Sequence, residues 1–194
     1  MLGLKLPTDP RWVRIAENSL EDILTDHAYC EQKAASNAIS IVISYPYHSE
    51  LVEEMLKLAK EELEHFEMVH KKLLEKGFKL GFERKDPYVN DLYKYMRKGF
   101  SREIALIDRL LFAAMIEARS CERFKLLSEK LHDADLRAFY RELMVSEANH
   151  YTTFLAFARH YGEGVEDVNQ RWQEWLEHEA LVIQSYGRTE TIHG

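Results

Sequence analysis

Two glutamates and a histidine occur twice in this chain at nearly the same spacing, and that repeat restricts its fold more than any other feature. The first set is Glu31, Glu62 and His65; the second is Glu117, Glu147 and His150. In each set a single Glu precedes a Glu-x-x-His pair, by 31 residues in the first and 30 in the second. Equivalent positions lie 86, 85 and 85 residues apart. An antiparallel pair of long helices, used twice, brings all six side chains to one level of a bundle. One Glu from each of two helices and a Glu-x-x-His from each of the other two is the ligand set of a carboxylate-bridged two-metal centre.

The rest of the chain predicts the helices this requires. Its 194 residues suit a single domain, 1–194, and contain only 8 Gly and 4 Pro to interrupt helices, so the class is all-α. Asp9-Pro10 opens a short helix. Ser19 to Asp22 reads as a capping box that starts a long helix ending at Tyr45-Pro46. The second long helix runs from about Ser49 to Lys76 and stops at Gly77. Asp86-Pro87 starts a short helix, Ser101 caps a third long one reaching Leu131, and a turn at Asp133 leads into a fourth ending near Gly162. A further helix covers about Val165 to Tyr186, and residues 186–194 are expected to form a mobile tail. Two hairpins joined by the long link Gly77–Phe100 make a ferritin-like four-helix bundle with a crossover and extra flanking helices.

Each of the four glutamates falls within an apolar stripe at helical spacing. Leu24, Ala28, Ala35 and Ala38 flank Glu31; Met55, Leu58, Phe66 and Val69 flank Glu62. Ala113, Ala114, Cys121 and Phe124 flank Glu117; Leu143, Met144, Tyr151 and Phe154 flank Glu147. A carboxylate on a core-facing stripe is strongly disfavoured unless it is neutral, paired or bound to a cation. Four carboxylates and two neutral imidazoles balance two divalent ions, leaving the buried site uncharged. Oxygen and imidazole donors suit iron first and manganese second, and suit tetrahedral zinc less.

Other residues carry weaker signals. Glu67/His70 and Glu129/His132 also match Glu-x-x-His. The first pair points to a different helix face, and the second falls at a turn. Cys121 reads as a buried apolar thiol, and Cys30 points away from Glu31. His27, one turn before Glu31, is placed either to hydrogen-bond a ligand or to serve as a satisfied core or boundary histidine. Trp172 and Trp175 read as packing residues. The two cysteines form no disulfide framework or metal motif, no apolar run is long enough to span a bilayer, and no secretory leader is evident. A cytoplasmic location without membrane attachment is the simplest expectation.

Net charge is −7, yet Lys71 to Arg109 holds 11 Lys/Arg against 6 Asp/Glu. A basic segment of this kind attracts polyanions even in an acidic protein. Lys94, Arg97 and Lys98 are its candidate contacts.

The segment Glu117-Ala-Arg-Ser-Cys-Glu-Arg-Phe124 resembles a hallmark of the MiaE family of tRNA isopentenyl-adenosine hydroxylases. The likeness continues through His27-Ala-Tyr-Cys-Glu31-Gln-Lys-Ala-Ala35, Glu61-Glu-Leu-Glu-His-Phe66 and Ser146-Glu-Ala-Asn-His150-Tyr, in order along nearly the whole chain. That resemblance implies a ferritin-like di-iron monooxygenase that hydroxylates the isopentenyl group of (2-methylthio-)N6-isopentenyladenosine next to the tRNA anticodon. It implies that Glu31, Glu62, His65, Glu117, Glu147 and His150 hold two iron ions, with O2 as co-substrate. Each turnover then needs two electrons from a separate reductase. The partners are tRNA and that donor, and the protein is a monomer or a small oligomer. Two other readings compete: another ferritin-like di-iron oxidase or peroxidase acting on a small molecule, and an iron-binding bundle. Ala34, Ala35 and Ala38 leave room for a substrate near Glu31, or allow close helix packing.

Overall fold

A computed structural model describes residues 2–186 and 191–193. Among them are seven α-helices and no strand: α1 (Trp12–Asn18), α2 (Leu20–Ser44), α3 (Ser49–Glu75), α4 (Pro87–Lys94), α5 (Arg102–Lys130), α6 (Ala134–Gly162) and α7 (Val168–Ile183). The chain forms two compact units.

One unit, on Ala16–Lys85 with Thr191 and Ile192, is the hairpin of α2 and α3. The turn between them is four residues long, so the helices run antiparallel. Leu24, Ala28, Ala38 and Ile41 of α2 and Leu51, Met55, Val69 and Leu73 of α3 form its core. Gly77 ends α3 at φ +80, the left-handed conformation in which a Cβ would be strained.

The other unit contains α4 to α7, the amino-terminal segment to Ile15 and His193. Here α5 and α6 form the second long hairpin, and α7 packs on both. Trp175 is fully buried and Trp172 nearly so, as their packing role requires. Gly162 ends α6 where the chain turns towards α7; a Cβ there would lie 2.1 Å from Cγ2 of Val168.

The caps follow the sequence with one exception. Side chains of Asp86, Ser101 and Asp133 accept hydrogen bonds from the backbone N–H of Val89 (3.0 Å), Ile104 (3.3 Å) and Leu136 (3.1 Å). Ser19, expected to cap α2, makes no side-chain cap hydrogen bond. Its φ of −127 and ψ of 43 lie outside the extended geometry that aims a cap side chain at the helix. α7 starts at Val168, three residues later than expected, because Asp167 provides the cap for Gln170 N–H at 3.0 Å.

Of the tail expected over 186–194, residues 187–190 and 194 lie outside the described residues. Thr191, Ile192 and His193 are buried, contrary to that expectation. The backbone N–H of Ile192 donates to Asp26 at 2.7 Å. Ring nitrogens of His193 lie 3.1 Å from the Asp86 carboxylate and 3.0 Å from the Ser120 hydroxyl. These polar partners anchor a stretch whose composition alone suggested a loose end.

Candidate metal centre

In the first hairpin, α2 presents Glu31 from its apolar stripe, and α3 presents Glu62 and His65 one turn apart on a single face. All three are buried. His65 Nδ1 lies 3.2 Å from a Glu62 oxygen and 3.8 Å from a Glu31 oxygen. One donor atom from each residue falls within 4.8 Å of the other two, close enough for a single ion to take all three. On the other side of Glu31, His27 Nε2 sits 2.6 Å from the Glu31 Oε1 atom. His27 is fully buried one turn before Glu31, a core histidine hydrogen-bonded to that carboxylate.

In the second hairpin, α5 supplies Glu117, and α6 supplies Glu147 and His150, again all buried. His150 Nδ1 lies 4.0 Å from Glu117. The position equivalent to His27 is Ala113, so this Glu has no imidazole one turn before it. Cys121, one turn after Glu117, is a protonated thiol. Burial, then the carboxylates of Glu117 and Glu122, push it up to about 12, and its Sγ–H donates to the Met144 carbonyl at 3.3 Å. No group of donor atoms close enough to share an ion includes it among the described residues.

The Glu67/His70 and Glu129/His132 pairs stay off these faces. Glu67 is exposed and His70 stacks on Phe66, while Glu129 and His132 are both exposed. Glu190/His193 has the same spacing; Glu190 lies outside the described residues, and His193 contacts Asp86 and Ser120.

The arginines of the 117–124 segment have structural tasks that spacing did not reveal. Arg119 is fully buried and donates to Glu179 at 3.0 Å, Glu122 at 3.0 Å and the Leu6 carbonyl at 3.1 Å. Tyr88 donates to the same Glu179 oxygen at 3.0 Å. Burial acts to lower the Arg119 pKa, but Tyr88, Glu179 and Glu122 together raise it. Arg123 lies over the Trp12 ring, 4.1 Å from its centroid, and burial followed by repulsion from Arg119 pulls it down to about 10. The segment thus ties the helix carrying Glu117 to α7 and the amino terminus.

The basic crossover differs from its expectation at two of three positions. Arg97 is committed to Asp108 at 2.7 Å and Glu166 at 2.7 Å, with Arg171 completing the cluster at 2.9 Å from Asp108. Lys94 pairs with Asp91 at 2.7 Å. Lys98 alone is exposed and without an acidic partner among the described residues. Sequence charge could not reveal this, because Asp108 and Glu166 lie 11 and 69 residues from Arg97.

Between α2 and α3 runs an apolar groove of about 420 Å³ whose floor includes Ala35, Ile39, Leu56, Ala59 and Leu63. Ala35 lies one turn from Glu31, and Ala59 one turn from Glu62. Of the three small residues expected near Glu31, Ala35 lines this space and Ala38 is wholly buried in packing. No helix among the described residues is long and apolar enough to cross a membrane.

The family model for tRNA-(MS[2]IO[6]A)-hydroxylase (MiaE) matches residues 2–194. A tRNA 2-(methylsulfanyl)-N(6)-isopentenyladenosine(37) hydroxylase of Pseudomonas putida is 39% identical over 82% of this chain and 77% of its own length. A protein of the same description from Salmonella typhimurium is 30% identical over 98% of this chain and 87% of its own. Among solved structures, a Synechococcus protein described as having aldehyde deformylating oxygenase activity matches with a TM-score of 0.88 and 32% identity, covering 98% of this chain and 95% of that one. The all-helical fold is therefore the ferritin-like one, and the buried carboxylate–histidine groups are consistent with iron binding.

Proposed function

We propose that this chain, which belongs to the MiaE family of tRNA hydroxylases, is an O2-dependent di-iron monooxygenase acting on the isopentenyl group of (2-methylthio-)N6-isopentenyladenosine next to the tRNA anticodon. The observation that carries the reading is the duplicated, buried set of one Glu and one Glu-x-x-His on each long hairpin. In this proposal the two units act as one domain over 1–194. Glu31, Glu62, His65, Glu117, Glu147 and His150 hold two iron ions between them, with manganese the less favoured occupant. The donor chemistry fits, since four carboxylates neutralise two divalent cations and two imidazoles complete the set.

When bound, the iron pair supplies O2 activation and insertion of one oxygen atom into a C–H bond of the prenyl group. The other oxygen leaves as water, which takes two electrons and two protons from outside; a separate reductase is the proposed donor. The chain's own residues do the positioning. His27 holds the Glu31 carboxylate in one orientation. The groove lined by Ala35 and Ala59, one turn from Glu31 and Glu62, receives the isopentenyl group. The proposed location is cytoplasmic, as a monomer or small oligomer.

The likeness to the Synechococcus oxygenase favours one second reading, a di-iron enzyme acting on a free small molecule. Iron-loaded protein given electrons, O2 and isopentenylated tRNA decides between them. Hydroxylated nucleoside supports the tRNA reading; turnover of free aldehyde with untouched tRNA supports the other.

A further inference from the structure

The link that follows α3 holds an aromatic ring in solvent from a fixed backbone. Phe82 is 95% exposed, yet the residues on both sides of it are secured to α2. The backbone N–H of Gly81 donates to the Thr25 hydroxyl at 3.4 Å, and its carbonyl accepts from the Tyr29 hydroxyl at 3.0 Å. A Cβ at Gly81 would lie 3.4 Å from the Thr25 methyl, at ordinary contact distance, so the link lies directly against α2 here. Lys33 then pairs with Glu83 at 3.0 Å, and Asp22 with Arg84 at 3.5 Å. Thr25, Tyr29 and Lys33 recur every four residues on one face of α2, so the link follows that face. Glu31 lies between Tyr29 and Lys33 in sequence, on the opposite face, so Phe82 stands at about the level of the metal ligand along the helix axis.

A single exposed apolar side chain is unremarkable by itself. Phe82 differs in its anchoring and its surroundings. Lys79 and Lys85 on the same link are exposed; the Lys79 backbone N–H donates to the Glu21 carboxylate at 3.5 Å, while neither ammonium group enters an ion pair among the described residues. A rigidly presented aromatic face between free ammonium groups has the two elements that bind single-stranded nucleic acid: a ring on which a base stacks, and cations for the flanking phosphates.

We propose that Phe82 is a stacking platform for an unpaired base of the anticodon loop, with Lys79 and Lys85 contacting the adjacent phosphates. This rests on the tRNA reading and adds to it a residue that positions the loop without touching the reacting atoms. Because stacking is uncharged, it contributes to affinity without contributing to the salt dependence, whereas each lysine contributes to both.

The test is fluorescence-anisotropy titration of iron-loaded protein, kept free of O2, with a labelled anticodon stem-loop over a series of salt concentrations. F82A is expected to bind roughly tenfold more weakly than wild type, with the same slope of log affinity against log salt. F82W is expected to bind like wild type and to show RNA-dependent quenching of the new indole. K85E is expected to lower the slope by about one contact's worth. The melting temperature of F82A is expected to match wild type, since the residue is 95% exposed. Wild-type affinity in F82A, or an equal loss on a fully paired RNA duplex, overturns the platform while wild-type hydroxylation of tRNA leaves the enzyme reading intact. A wild-type protein that neither binds the stem-loop nor hydroxylates tRNA overturns both.

Discussion

His27 Nε2 lies 2.6 Å from Oε1 of Glu31, and both side chains are buried within α2. The second hairpin has Ala113 at the equivalent position, so the two halves of the duplicated set differ in how their single glutamates are held. This predicts unequal metal affinities. H27A is expected to lower affinity for one of two ferrous ions by roughly 10- to 100-fold and to leave the other nearly unchanged. Competition with a ferrous chelator reads this as a change from two similar steps to one strong and one weak.

Buried carboxylates placed for cations are a burden when the cations are absent. E62L is therefore expected to melt above wild type in chelator and below it in excess ferrous or manganous ion. Paired thermal melts of the two proteins, with and without metal, test for that reversal. A variant that is destabilised equally in both conditions would mean that Glu62 is held by protein partners alone.

Asp108 gives a prediction about pH. Burial pushes its carboxyl up, but hydrogen bonds from Arg97 and Arg171 outweigh burial and hold it below its ordinary value. A depressed carboxylate stabilises the fold above its unfolded pKa, near 3.9, and that contribution disappears as pH falls through the folded value. D108A is expected to cost about 3–5 kcal/mol at pH 7, because Arg97 and Arg171 lose their shared partner. The gap between D108A and wild type should narrow as melts are repeated at falling pH below about 4. R97E is expected to destabilise the fold for the same reason, which makes it a poor probe of RNA contact, whereas K98E should weaken tRNA binding and reduce its salt slope without a change in melting temperature.

Packing at the α6–α7 corner is tight at one atom. G162A is expected to cost about 1–3 kcal/mol, since its methyl group would occupy the position of the Val168 side chain. The double variant G162A/V168A should recover part of that loss. Urea denaturation of the four proteins in the cycle measures the coupling.

The parts of the structure legible in the sequence are those that depend on local spacing. Glu62 and His65 sit one turn apart because helical geometry puts i and i+3 together, and Asp86, Ser101 and Asp133 cap the helices they precede. Apolar periodicity separated Glu62 from Glu67, which is exposed five residues later. What remained hidden was set by partners distant in the chain. Arg97 reads as a free cation until Asp108 and Glu166 are brought to it. Arg119 carries no signal in the sequence beyond its place in the 117–124 segment, and its burial depends on Glu179 and Leu6. His193 reads as part of a loose end until Asp86 and Ser120 meet its ring. Ser19 looked like a cap because of its residue type, but its backbone angles do not aim it at the helix.

In our proposal the duplicated Glu and Glu-x-x-His set holds an oxygen-activating centre acting on prenylated tRNA. Iron-loaded protein, supplied with electrons and isotopically labelled O2, is incubated with tRNA carrying (2-methylthio-)N6-isopentenyladenosine, and the nucleosides are resolved by mass spectrometry. One labelled oxygen atom is expected on the isopentenyl group with wild type, and none with the E62A or E147A variant. Unmodified tRNA from wild-type protein with full iron occupancy, or labelled product from a variant with no iron bound, would contradict it.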